Sequence, residues 1–73
     1  MRRNVHIVPR DGEWVVETEN AQRAIKITTT QAEAIEVGRE IAKNQQSELI
    51  IHGKNGKIRE KNSYGADPYP PKG

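Results

Sequence analysis

His6 and His52 are the only two histidines in the chain, and each sits in a short run of strand-like residues. In neighbouring strands their rings would meet as an acid–base pair or as half of a metal site. A zinc site needs three or four nitrogen, sulfur or carboxylate donors, and neither run carries a third ligand at close spacing. The expected place for both rings is therefore the exposed face of a sheet. Ser63, Thr18 and Thr28–Thr30 have no adjacent base in a nucleophile setting. Asp11, Glu13 and Asp67 are separated and fall in turn or tail contexts that favour capping and solvation. Gly53-Lys54-Asn55-Gly56-Lys57 has the look of a phosphate loop, but Ile58 stands where Ser or Thr is needed and a strand follows instead of a helix. These residues predict no catalytic site, no metal and no cofactor. A domain this small also struggles to enclose a pocket of a few hundred cubic ångströms, so the expectation is a protein that is not an enzyme.

Binding chemistry is better represented. Side chains two apart in a strand share a face, so Lys57, Arg59 and Lys61 are expected to project together, with Lys54 in the preceding turn as a fourth cation. Charges spaced roughly 6–7 Å apart along such a strand suit a phosphate backbone, and a β-ribbon is a known way into a major groove. Arg2 and Arg3 would extend that surface. Against this stands the use of lysines to protect edge strands from aggregation. Aromatic stacking platforms are also scarce, because Trp14 is expected in the core. The second candidate is the C-terminal stretch, in which Pro68-Tyr69-Pro70-Pro71 fits an extended polyproline segment. Tyr64 and Tyr69 are expected to dock it on an apolar patch of its own domain or of a second copy.

The element that must position these residues is Thr30–Gln45. Thr30 and Glu33 form a Thr-x-x-Glu capping box, and Ala34, Ile35, Gly38, Ile41 and Ala42 recur at three- and four-residue spacing as one apolar stripe. Gly38 on that stripe predicts close approach to a sheet. Asn4–Val8, Glu13–Glu19 and Ala24–Thr28 read as strands of an antiparallel meander, with Ile25 and Ile27 expected inward. Pro9-Arg10-Asp11-Gly12 turns between the first two, and Asn20–Arg23 is a polar connection. Glu48–His52 is expected in a more central place, because Leu49, Ile50 and Ile51 follow one another. Asn55-Gly56 predicts a type I′ turn into a last strand, Lys57–Lys61, with only Ile58 inward.

Seventy-three residues make one small domain, read as residues 1–62 followed by a Pro/Gly-rich tail, 63–73. With 33% hydrophobic residues, no Phe and one Trp, its core must rest on Ile and Val. No cysteine is present, which excludes disulfides and thiolate chemistry. That, with no signal-like apolar stretch and nothing near the roughly 20 apolar residues that span a bilayer, favours a cytoplasmic protein with no membrane partner. A net charge of +2 among 30% charged residues is too mild to identify a nucleic-acid binder.

Val5-His6-Ile7-Val8-Pro9-Arg10-Asp11-Gly12 with Trp14, Thr30-Gln31-Ala32-Glu33-Ala34-Ile35, and Gly53-Lys54-Asn55-Gly56-Lys57-Ile58-Arg59 together resemble one family. Ser63-Tyr64-Gly65, Asp67-Pro68 and Pro70-Pro71-Lys72-Gly73 add to the match. It is the small bacterial domain-of-unknown-function family numbered 2188, and the resemblance covers nearly the whole chain. It implies a compact bacterial domain that stands alone as a complete protein, and it carries over no activity and no catalytic residue. The expected fold is α+β, ordered β-β-β-α-β-β, a mostly antiparallel sheet with one helix packed on one face. The expected function is a non-enzymatic binding module whose partner is an unknown protein or a second copy. Weak nucleic-acid binding through the basic hairpin is the alternative.

Overall fold

The computed structural model describes residues 3–19 and 24–64. Its elements are β1 (Val5–Arg10), β2 (Glu13–Thr18), β3 (Lys26–Thr28), α1 (Gln31–Gln45), β4 (Glu48–His52) and β5 (Ile58–Ser63). They form the expected α+β domain, a five-stranded sheet in the order β3-β2-β1-β4-β5 with α1 across one face. β1, β2 and β3 are the predicted antiparallel meander, and β4–β5 is an antiparallel hairpin. The two halves join through one parallel pair, Val5–Ile7 of β1 against Leu49–Ile51 of β4. β3 and β4 consequently run the same way on opposite sides of β1 and β2. Such a connection must cross over the sheet, and α1 makes the crossing.

Helix α1 begins as its sequence dictates. The Thr30 hydroxyl accepts from the Glu33 amide at 3.2 Å, and Thr29 and Thr30 both donate to the Glu33 carboxylate. Ala34, Gly38 and Ala42 are its buried residues, with Ile35, Val37 and Ile41 packed at the margins. At Gly38 a Cβ would stand 2.7 Å from Ile7 Cδ1 and 2.8 Å from Leu49 Cδ1, so the glycine is what lets the helix lie this close. Beneath it Val5, Ile7, Trp14, Val16, Leu49 and Ile51 make the core, and Tyr64 packs against its edge.

The type I′ turn expected at Asn55-Gly56 occurs instead at the first hairpin. Asp11 and Gly12, with φ of 52° and 80°, close the β1–β2 hairpin between paired Arg10 and Glu13; positive φ at both central residues is the type I′ signature. At the second hairpin the tight turn is centred one residue earlier than predicted, on Lys54-Asn55, with the Gly56 amide bonded to the Gly53 carbonyl. There only Gly56 has positive φ, so no type I′ turn forms at Asn55-Gly56. The Asn55 side chain accepts instead from the Lys57 amide, and Gly53 N–H donates to the Lys57 carbonyl. This is the longer hairpin loop in which one left-handed glycine follows a tight turn.

Three isoleucines expected inward are not. Ile25 and Ile27 are 47% and 55% exposed, while Thr28 is buried. Thr28 pairs with Trp14 beneath the helix and donates to the Thr30 carbonyl at the entry to α1. That register turns Ile27, paired with Val15, to the opposite face. Ile58 is 59% exposed, because a register shift between Ile51 and His52 inserts an extra residue in β5 and sets Ile58 opposite His52. β5 also runs two residues past the predicted end, to Ser63, across the boundary drawn at residue 62. Asn20–Arg23 and everything beyond Tyr64 lie outside the described residues.

Candidate functional site

The face of the sheet away from α1 carries no secondary-structure element among the described residues. Two rows of side chains cross it. Ile27, Val15 and Val8 stand directly opposite one another on β3, β2 and β1, and His52 with Ile58 continues the row on β4 and β5. The parallel row contains Glu17, His6, Ile50 and Lys61. Arg10, opposite Glu13 beyond the Val8–Val15 row, reaches across that row to Glu17, with Nη2 at 3.3 Å. Val15 and Ile50, in the middle of these rows, are buried, and the exposed isoleucines Ile27 and Ile58 lie at the two edges.

The histidines do meet here. His6 is opposite Ile50, and His52 is two residues further along the same face of β4, so the rings are diagonal neighbours. His6 Nδ1 stands 3.1 Å from His52 Nε2, with ring centroids 5.4 Å apart. His52 Nδ1 lies 3.0 Å from the Gly56 carbonyl, and His6 Nε2 lies 3.2 Å from Glu19 Oε2. That same oxygen accepts from the Asn4 side-chain amide at 3.2 Å. Asn4 is itself fixed, because its Oδ1 accepts from the Glu48 amide and its carbonyl accepts from the Glu19 amide. The hydrogen bonds from His6 first, then from Asn4, hold the Glu19 carboxyl below its ordinary value of 4.5.

Every ring nitrogen in this chain of contacts is engaged within the domain. Neither imidazole presents a free nitrogen to an outside substrate. Glu19 lies across the His6 ring from His52, so the three groups do not converge on one metal position. Among the described residues no cluster of three or more metal-ligating side chains occurs. Glu19 and Asn4 are the members that the sequence reading missed. The signal was present, since Glu13, Val15, Glu17 and Glu19 alternate onto the face that His6 shares.

The basic row is divided. Lys57 precedes β5, and the extra residue in the strand breaks the alternation on which a common face depended. The Arg59 guanidinium donates to Gln31 Oε1 at 2.6 Å, at the start of α1, while Lys61 sits opposite Ile50 on the other face. Lys54, Lys57 and Arg59 do remain together, around a shallow concavity at the hairpin loop. Lys54 also borders a groove against Pro9, Gly12, Glu13 and Trp14. The Tyr64 amide donates to the Ser47 carbonyl at 3.0 Å, and Tyr64 packs against the core edge. Tyr69, its expected companion, lies outside the described residues. No helix among the described residues is long and apolar enough to cross a membrane.

Comparison with known proteins gives an uncharacterised family. The chain is 33% identical over 66 residues to the uncharacterized protein YdaT of Bacillus subtilis (strain 168). That match takes in 90% of this chain but 44% of YdaT, so the chain spans less than half the length of this relative. No solved structure matches. Residues 5–64, which hold all five strands but the outermost contacts of Asn4, match the family described as "Uncharacterized protein conserved in bacteria (DUF2188)", and the chain belongs to that family.

Proposed function

We propose that this domain is a non-enzymatic interaction module of the bacterial cytoplasm that engages another polypeptide through the edges of the sheet face away from α1, where Ile27 and Ile58 are exposed. The observation that carries this reading is the row Ile27–Val15–Val8–His52–Ile58, whose two end isoleucines are more than 45% exposed. Five strands at about 4.8 Å spacing span roughly 20–24 Å. A contact on such a face falls near the lower end of specific interfaces, as suits a transient partner or a weak self-association. Charged groups flank the row, with Arg10 and Glu13 on one side and Glu17 and Lys61 on the other, and such a polar rim fits a protein contact. The closed histidine network supports a non-catalytic role.

An NMR dilution series of the labelled protein tests the reading, followed by capture of partners with wild type and with an Ile27→Lys/Ile58→Lys variant. Concentration-dependent shifts at residues 8, 15, 27, 50 and 58 identify a second copy as the partner. A polypeptide retained by wild type and lost by the variant identifies another protein. Neither result, or a polypeptide that both forms retain equally, overturns the proposal.

A second reading has its own observation: Lys54, Lys57 and Arg59 gathered at the hairpin loop. Nucleic-acid binding there would weaken steeply with salt through counterion release. Titration with random duplex DNA and single-stranded RNA at low and physiological salt separates it, since its shifts would concentrate at residues 54–61.

A further inference from the structure

Hydrogen-bond stoichiometry at the two histidines fixes how many protons they hold. A backbone carbonyl only accepts, so His52 Nδ1, at 3.0 Å from the Gly56 oxygen, must carry a proton. An ionised carboxylate only accepts as well, so His6 Nε2, at 3.2 Å from Glu19 Oε2, must carry another. The donation from Asn4 to that oxygen favours the ionised form. The two remaining nitrogens, His6 Nδ1 and His52 Nε2, face each other at 3.1 Å. Between them a bond needs one proton: none leaves lone pair against lone pair, and two set N–H against N–H.

We infer that His6 and His52 together hold three ring protons and a single positive charge, forming a clasp between β1, the end of β2 and the β4–β5 hairpin that closes in this state alone. Removing the third proton forfeits one bond of the chain. Adding a fourth drives the two rings apart. Loss or gain of one ring proton thus opens the clasp, and because His52 lies in the apolar row, its opening alters the proposed contact surface.

The charges around it favour one cation. From β2, Glu17 stands opposite His6 and Glu19 is bonded to it; from β4, Glu48 shares the face with Ile50 and His52. Arg10 of β1 is engaged with Glu17, and Lys61 of β5 stands opposite Ile50. Lys57 flanks Ile58, the residue across from His52. From α1 the nearest approach is neutral, Gln31 donating to the His52 carbonyl.

The test is long-range nitrogen–proton NMR of the labelled protein at neutral pH, which reads the protonation of each ring nitrogen. The expected pattern is a proton on His52 Nδ1, a proton on His6 Nε2 and a third divided between the facing pair. Glu19→Gln supplies the second arm. An amide at position 19 can donate to His6 Nε2, so the variant is expected to hold one ring proton fewer. Two neutral rings, or four ring protons, in the wild type overturns the inference. Acidification until all four nitrogens are protonated should then abolish the ring-to-ring contact while amide dispersion persists. A contact that survives the fourth proton also overturns it.

Discussion

Glu19 Oε2 takes hydrogen bonds from two side chains, His6 and Asn4, and both favour the ionised carboxylate. A group whose folded value lies below its ordinary 4.5 adds stability that is present above that value and is lost as pH falls through the lowered one. Urea midpoints at neutral and acid pH should therefore fall further in the wild type than in Glu19→Gln; equal losses contradict the assignment. Gly38 makes a steric prediction instead. Its place in the helix costs roughly 1 kcal/mol in propensity, yet a larger side chain would press on Ile7 and Leu49, both fully buried. Gly38→Val is expected to destabilise by roughly 1–3 kcal/mol, measured by urea denaturation, and a stabilised variant would refute the close approach. The need for Gly38 was legible in the sequence because the stripe was. The meeting of His6 with His52 was not, since it depends on β1 pairing with the distant β4.

α1 was the most readable element. Capping chemistry and apolar spacing are local, and they agree with where the helix packs. Thr30→Ala should cost about 1 kcal/mol through the lost cap, read as a lowered denaturation midpoint; no change would mean that the capping box contributes nothing. Strands were legible as strands, but the facing of the two edge strands was not. A one-residue change of register moves every side chain to the other face. β3 is only three residues long, and its register follows from the Trp14–Thr28 pair and the tight entry to α1. In β5 the inserted residue inverts Ile58 and separates Arg59 from Lys61, so alternation alone misplaced both the isoleucine and the basic row. Asp-Gly and Asn-Gly carry the same local signal, and only the loop length allowed by each hairpin decides which becomes the type I′ turn.

For the molecule as a whole, the fold class and element order were legible because each half declares itself: a meander, a crossover helix, a hairpin. Strand order was not, because the parallel β1–β4 pair leaves no trace in local sequence. That pair brings His6 beside His52 and aligns the apolar row across five strands. Ile27 and Ile58 are exposed at the two ends of that row and carry little of the core. Replacing both with lysine should leave stability within about 1 kcal/mol, since exposed substitutions are each typically within 0.5, while removing the contact surface. The most direct measurement is therefore a side-by-side comparison of wild type and Ile27→Lys/Ile58→Lys for thermal midpoint and for binding, by NMR dilution and partner capture. The account predicts similar midpoints with association present in the wild type and absent in the variant. Association that survives both lysines would contradict it.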